Sequence, residues 1–184
     1  MLIIFDLDDT LIDTTGSITP VKLEQALTKM VKAGLQVGDF QEALTILKRL
    51  DTASESASQT LLEFLEITLS DKESDKKYFD IGHAEVYGPL PQDFPVYPLD
   101  QALDTLSDLA SQHQIALVSM GKPEEQLLKL KNAGIDSTIF SKIVISEDRD
   151  KKPHYKTILD ELGFTPSQTL VCGDRVNRDL SPVQ

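Results

Sequence analysis

The hydrophobic positions divide the chain into a helix-rich segment and a segment in which helices and strands alternate. Leu2 to Phe5 form a short apolar run that breaks abruptly into acidic residues, as expected at the end of a buried strand. Residues 16–88 carry apolar side chains at helical spacing, which predicts an all-helical insertion. From Asp100 onward helical patterns alternate with short apolar runs, and this alternation predicts a parallel sheet with helices on both faces.

Start and stop signals delimit the predicted helices of the insertion. Pro20 lies in the first turn of one helix and Gly34 ends it. The next helix opens at Asp39, with Glu42 three residues later as in a capping box. A linker with four prolines, residues 88–98, closes the insertion. The four predicted helices cover residues 20–34, 39–50, 60–69 and 75–87.

The predicted fold class is α/β, a three-layer Rossmann-like parallel sheet core with an inserted all-helical cap domain. The later strands are predicted at residues 115–119, 142–146 and 169–174. We therefore expect a core built from residues 1–13 and 97–184 and a helical cap of residues 14–96.

Composition narrows the class of partner. A net charge of −12 and a pI near 4.6 argue against nucleic acid, because a phosphate-backbone binder needs a basic face, and they do not favour an anionic membrane. Cys172 is the one cysteine, so no intramolecular disulfide can form and a reducing compartment is expected. The chain carries neither a signal-peptide pattern nor a spanning apolar segment, and we predict a cytoplasmic protein.

Chemically useful side chains follow each predicted strand. In a parallel sheet the carboxyl ends of the strands meet at one edge, where α/β proteins bind ligands. Two acids one residue apart on a tight turn can share an oxygen-loving divalent cation such as Mg²⁺. In strand order, the residues concerned are Asp6, Asp8 and Thr10; Ser119 and Gly121; Lys152, before a proline; and Asp174 with Asp179.

These four clusters, in this order, resemble the motifs of the haloacid dehalogenase superfamily. The likeness is to its phosphatase branch with a helical cap inserted after the first strand, similar to phosphoglycolate phosphatases and β-phosphoglucomutases. Asp6 to Thr10 matches the Asp-x-Asp-x-Thr motif, Ser119 the second motif, Lys152-Pro153 the third, and Gly173-Asp174 with Asp179 the fourth. The sheet order implied is fourth, first, second, third strand.

The resemblance implies a role for each aspartate. Asp6 is expected to be the nucleophile that forms an aspartyl-phosphate. Asp8 is expected to protonate the leaving oxygen and then to act as base for water. Mg²⁺ is expected on Asp6, on Asp8 through its backbone carbonyl, and on Asp174. Asp179 is expected to support this site from its outer shell.

The remaining motif residues are expected to bind or brace. The resemblance implies that Ser119 and Gly121 bind the phosphoryl group and that Lys152 neutralises its charge. Lys152 is chosen over Lys151 and Lys156 because a proline follows it, and both alternatives stay open. Thr10 is expected to brace the turn.

The implied function is Mg²⁺-dependent hydrolysis of a small phosphorylated metabolite by a phosphoric monoester hydrolase. Dehalogenases of the superfamily lack an acid at the position of Asp8, so its presence favours phosphoryl transfer. Two alternatives stay open at this point: a phosphomutase of the same superfamily and a non-catalytic module that binds or signals through a phosphorylated ligand. Because chains of the family continue through a further helix and strand, we also expect the C-terminal end of this core to be truncated at Gln184.

Overall fold

The computed structural model describes residues 1–69, 72–148 and 150–180, without the side chains of residues 72–75, 178 and 180. The chain divides into two compact units. One consists of Met1–Thr14 with Leu90–Gln184, and the other is Thr15–Pro89. The predicted truncation falls on residues 181–184, which lie outside the described residues.

The first unit, here called the core unit, is built on a parallel sheet of four strands in the order β3-β2-β1-β4. This confirms the predicted fold class and strand order. Phe5 lies opposite Leu117 on one side and Cys172 on the other, so β1 and β4 end together, while β2 continues three residues further to Met120. β4 ends at Cys172, two residues before its predicted end at Asp174. The strands are β1 (Leu2–Phe5), β2 (Gln114–Met120), β3 (Lys142–Ser146) and β4 (Thr169–Cys172).

Seven helices accompany the sheet in the described part of the chain. The second unit, here called the helical unit, contains α1 (Thr19–Lys32), α2 (Phe40–Asp51), α3 (Ala57–Thr68) and α4 (Lys72–Val86). The core unit contains α5 (Ala102–Ala110), α6 (Pro123–Asn132) and α7 (Lys152–Leu162). Short π-helical turns cover Thr14–Ile18 and Val176–Leu180, and 3₁₀ turns cover Ser137–Ile139 and Pro166–Gln168.

Burial explains the order of the strands. All four residues of β1 are buried and β2 is buried from Ile115 to Ser119, as expected for central strands covered on both faces. β3 and β4 at the two edges are mostly half-buried. On one face, Leu2 and Ala116 belong to a cluster that includes Ile158 of α7. On this face the apolar runs of β1 and β2 therefore pack with α7 in one cluster.

The helical unit has its own apolar core. Leu27 and Met30 of α1 pack in one cluster with side chains of α2, α3 and α4, including Phe64. Buried Lys22 donates from Nζ to the carbonyls of Glu85, Gly88 and Pro89 at distances of 3.1–3.2 Å, which satisfies backbone oxygens at the end of α4.

Capping signals and apolar spacing in the sequence predict the starts of α2 and α4 to within three residues. The Asp39 side chain accepts a hydrogen bond from the backbone N–H of Glu42, so α2 begins where the capping signal predicts. α4 begins three residues earlier than residue 75, the predicted start. No helix in the described ranges combines the length and apolarity that crossing a bilayer requires.

Candidate active site

Asp6 stands at the carboxyl end of β1. Its backbone N–H donates to the carbonyl of Cys172 at 2.9 Å, so strand pairing continues one residue past β1. The chain then turns sharply, with the N–H groups of Leu11 and Ile12 both donating to the carbonyl of Leu7. The two acids of the first motif therefore leave a buried strand and enter a tight turn, as predicted.

Asp6 is surrounded by charged groups from two other segments. Lys151 Nζ lies 2.9 Å from Asp6 Oδ1 and 2.5 Å from Asp179 Oδ1, and the lysine side chain is only 5% exposed. The other oxygen of Asp179 accepts from the backbone N–H of Arg175 at 3.0 Å. A carboxylate oxygen from each of Asp6, Asp174 and Asp179 lies within 4.8 Å of the others. These three side chains are here called the carboxylate cluster.

The carboxylate cluster carries unfavourable negative charge. Burial raises the pKa of Asp6 from 3.8 to about 6; the ammonium of Lys151 lowers it and the charge of Asp179 raises it further. Burial also raises the pKa of Asp174; Arg175 opposes the shift, while Asp179 and Asp9 add to it. A bound divalent cation would relieve this repulsion, and carboxylate oxygens are the ligands that Mg²⁺ prefers. The donor set therefore fits Mg²⁺.

Asp8 lies in a different environment. Its Oδ1 accepts from Thr14 Oγ1 at 2.5 Å and pairs with Lys129 Nζ at 2.7 Å. Its Oδ2 accepts from Gln126 Nε2 at 2.7 Å. Burial alone would raise the pKa of Asp8, but the charge of Lys129 and these hydrogen bonds outweigh it and hold the pKa below its ordinary value. The side chain of Asp8 is thus not part of the carboxylate cluster.

The second motif lies beside Asp8. Ser119 is near the end of β2, is 2% exposed, and accepts a hydrogen bond from Gln126 Nε2 at 2.8 Å. Gly121 donates its backbone N–H to the carbonyl of Ser146 in the neighbouring strand at 2.9 Å. Thr10 Oγ1 is buried with no hydrogen-bond partner in the described part of the chain. The backbone N–H of Thr10 donates to the carbonyl of Leu7 at 3.3 Å, and this hydrogen bond holds Thr10 in the turn.

The choice of lysine in the third motif requires a correction. Lys152 is the first residue of α7 and its side chain is exposed, whereas Lys151 reaches Asp6 and Asp179. Pro153 marks the start of a helix, but neighbouring residues on a helix point about 100° apart, so only one of two adjacent lysines can face the sheet edge. Lys156, the other alternative, is exposed as well.

Sequence reasoning missed two residues of the site. Gln126 and Lys129 lie three positions apart on α6 and share the face that contacts Asp8. Their signal was the i, i+3 pairing of two long polar side chains directly after the second motif. Among the residues that were predicted, the structure brings Asp6, Asp174 and Asp179 together, and it brings Asp8 next to Ser119 through Gln126.

Sequence matches to known proteins cover nearly the whole chain. The family model described as haloacid dehalogenase-like hydrolase matches residues 1–182. A glyceraldehyde 3-phosphate phosphatase from Methanocaldococcus jannaschii is 28% identical over 187 residues, which cover 99% of this chain and 79% of that protein.

Two solved structures share the fold. The hydrolase YfnB from Bacillus subtilis, solved with magnesium bound, superposes with a TM-score of 0.62 at 18% identity, over 100% of this chain and 82% of its own. A protein from Haemophilus somnus, described as a predicted phosphoglycolate phosphatase, superposes with a TM-score of 0.61 at 21% identity, over 92% of this chain and 75% of its own.

Proposed function

Because the chain belongs to the haloacid dehalogenase-like hydrolase family, we propose that it hydrolyses its substrate through a covalent aspartyl-phosphate on Asp6. The comparisons confirm the predicted family and the predicted class of enzyme, a phosphoric monoester hydrolase acting on a small phosphorylated metabolite.

The observation that carries the proposal is the contrast between two aspartates of one turn. Asp6 lies in the carboxylate cluster beside Lys151, whereas Asp8 is held outside that cluster by α6. One carboxylate is thereby available to attack phosphorus and the other to move a proton. Separating two nearby carboxylates by environment is how an active site assigns them different roles.

In the first step a carboxylate oxygen of Asp6 attacks phosphorus. The new bond joins Asp6 to phosphorus, the bond from phosphorus to the substrate oxygen breaks, and Asp8 gives its proton to that oxygen. Lys151 neutralises Asp6 and the incoming phosphoryl group, while Ser119 donates to a phosphoryl oxygen. Because Lys129 favours the carboxylate form of Asp8, the proton that Asp8 donates enters with the substrate, whose phosphate group binds as the monoanion and passes its proton to Asp8.

In the second step water attacks the phosphorus of the aspartyl-phosphate. Asp8 takes the proton from water, the bond from phosphorus to Asp6 breaks, and inorganic phosphate leaves with Asp6 ionised and Asp8 protonated, as at the start of the first step. The contacts of Asp8 with Lys129, Thr14 and Gln126 lower its pKa and favour the ionised form, which is the form that the second step requires.

Mg²⁺ is the proposed cofactor. Asp6 and Asp174, with the backbone carbonyl of Asp8, would hold it, and Asp179 would support them because both of its oxygens already accept hydrogen bonds from Lys151 and Arg175. When bound, Mg²⁺ supplies positive charge that offsets the charge of the cluster and of the phosphate.

We assign the helical unit as the cap that determines substrate specificity. The boundaries between the units fall at residues 14 to 15 and 89 to 90, and the chain segments there are the proposed hinges for cap movement. A cytoplasmic location, predicted from the composition, remains part of the proposal.

The decisive experiment is phosphate release from a panel of phosphorylated metabolites, with Mg²⁺ and with EDTA. Glyceraldehyde 3-phosphate comes first, because the relatives carry that name. We expect Mg²⁺-dependent turnover, and Asp6→Asn should lower kcat by a factor on the order of 10⁴ or more, as removal of a nucleophile does. Borohydride reduction of the trapped intermediate should convert Asp6 to homoserine, which mass spectrometry detects.

Asp104→Asn is the matched control, because Asp104 is an exposed carboxylate of α5 in the core unit. It should keep wild-type turnover. Wild-type turnover in Asp6→Asn would overturn the assignment of the nucleophile. A product that keeps the phosphate on a second hydroxyl of the same molecule would instead identify a phosphomutase.

A further inference from the structure

One face of α6 lies against two residues of the proposed machinery. Gln126 is buried, and its Nε2 lies 2.7 Å from Asp8 Oδ2, 2.8 Å from Ser119 Oγ and 2.7 Å from the carbonyl of Met120. One turn later, Lys129 Nζ lies 2.7 Å from Asp8 Oδ1, with its side chain 15% exposed. Gln126 and Lys129 therefore contact both oxygens of Asp8 between them.

The hydrogen-bond inventory determines how the Gln126 amide is oriented. The carboxylate of Asp8 and the carbonyl of Met120 can only accept, so the atom between them must be the amide nitrogen rather than the oxygen. The two N–H groups of the amide are shared among three acceptors, one of which is Ser119 Oγ. Because the Ser119 hydroxyl accepts there, its own O–H proton remains available to donate to a phosphoryl oxygen. A single amide thus orients the proton-transferring carboxylate and the phosphoryl-binding hydroxyl.

This orientation leaves the other end of the amide unsatisfied. Gln126 Oε1 is buried and has no hydrogen-bond partner among the residues that the structure describes. A buried acceptor without a partner is unfavourable and calls for an explanation. The contacts of Gln126 Nε2 with Asp8 and Ser119 explain the unsatisfied oxygen, because they determine the orientation of the Gln126 side chain.

Gly121 provides the space for this arrangement. Its φ is +142°, and a Cβ built there would lie 3.2–3.3 Å from Nε2, Cδ and Cγ of Gln126. A larger residue would push the amide away from Asp8 and would also be strained at that φ. The glycine of the second motif therefore acts through Gln126, in addition to any contact with the substrate.

We propose that Gln126 and Lys129 are positioning residues that align Asp8 with the leaving oxygen and couple it to Ser119. This inference rests on the proposed function and extends it. In the first step the proton passes from Asp8 to the leaving oxygen as the bond to phosphorus breaks. The alignment matters most for alkyl phosphates, because an alkoxide leaves poorly without a proton, whereas an aryl oxide leaves readily.

The test compares Gln126→Leu and Lys129→Met on two esters, p-nitrophenyl phosphate and the best alkyl phosphate of the wild-type protein. Positioned proton transfer contributes on the order of 10²- to 10⁴-fold, so kcat for the alkyl ester should fall by about 10²-fold. The loss on p-nitrophenyl phosphate should be less than about tenfold. Lys129→Arg should recover most of the alkyl-ester activity, because it restores a cation to Asp8.

Two controls separate positioning from loss of folding. Lys131→Met changes an exposed lysine of the same helix and should leave both kcat values unchanged. Thermal unfolding with and without Mg²⁺ reports whether the carboxylate cluster is intact in each variant. An equal loss on the two esters, or no loss in either variant, would overturn the proposal.

A crystal structure of Gln126→Leu provides a test that does not depend on turnover. The proposal requires the Asp8 carboxylate or the Ser119 hydroxyl to move from its wild-type position, and unchanged positions for both would overturn it. If the wild-type protein releases phosphate from neither ester, the proposed function fails, and this structural comparison alone decides the role of Gln126.

Discussion

Asp6 and Asp8 lie two residues apart in one turn, yet the fold gives them opposite surroundings. Around Asp6 lie two further carboxylates, the buried Lys151 contacts Asp6 and Asp179, and burial raises the pKa of Asp6 to about 6. Around Asp8, a lysine, an amide and a hydroxyl face one carboxylate, and burial is outweighed, so that its pKa is lowered. The region around Asp6 has more negative than positive charge, which favours binding of a cation. In the region around Asp8 the carboxylate already has its hydrogen-bond and ion-pair partners, which suits a side chain that must be held in one position.

The largest effect should come from removing the cation between two carboxylates. Lys151→Met leaves Asp6 and Asp179 buried without it, and breaking a buried pair from one side costs about 3–5 kcal/mol. We expect the free energy of unfolding of the metal-free protein to fall by that amount, with loss of phosphate release. Urea unfolding followed by circular dichroism measures the change.

Lys152→Met is the matched control for this prediction. Lys152 is exposed, so its replacement should change stability by less than about 0.5 kcal/mol and should preserve activity. Equal effects of the two substitutions would contradict the assignment of Lys151.

The next largest effect should be the stabilisation of the protein by Mg²⁺, which should depend on the region around Asp6 and not on the region around Asp8. Added at about 100 times its dissociation constant, it should stabilise the wild-type protein by about 2.7 kcal/mol. Asp174→Asn removes a member of the carboxylate cluster and should abolish most of this gain, whereas Lys129→Met, on the Asp8 side, should retain it. Thermal unfolding in EDTA and in MgCl₂ measures each gain; loss of the gain in both variants would show that the regions are not separate.

A methyl group at Gly173 should disturb the carboxylate cluster by displacing Asp179. A Cβ there would lie 2.5 Å from Asp179 Cβ, so Asp179 must shift. We expect Gly173→Ala to cost about 1–3 kcal/mol of unfolding free energy, as overpacking does. Gly38→Ala is the control, because no atom lies within 4 Å of a Cβ built at Gly38. A Gly173→Ala protein as stable as the control protein would refute the close packing of Asp179.

The smallest effect should be the pH dependence contributed by Asp8. Because its pKa in the folded protein is below the ordinary 3.8, its ionised form stabilises the fold above that pH, and the contribution is lost as pH falls through the lowered pKa. Asp8→Asn should therefore cost about 1 kcal/mol at pH 7 and pH 5, as expected for a partly exposed pair, and less at pH 3. Urea unfolding at the three pH values measures this, and a cost that grows on acidification would contradict the lowered pKa.

Much of the fold could be predicted because its determinants are local in the sequence. Leu2 to Phe5 and Ile115 to Ser119 are continuous apolar runs, as expected for strands buried on both faces. Asp39 and Pro20 mark helix starts through contacts within one turn. Helix type and position therefore follow from periodicity and capping, with an error of a few residues, as at the start of α4.

The sequence by itself determined which residues stand at the strand ends, because Asp6, Ser119 and Asp174 directly follow apolar runs or lie near the end of one. The tertiary structure decided which cation and which amide reach them. Lys151 rather than Lys152 contacts Asp6 because the direction of a side chain at a helix start depends on how that helix packs. Gln126 and Lys129 contact Asp8 across 118 and 121 positions of the chain, a distance over which no local pattern specifies contact.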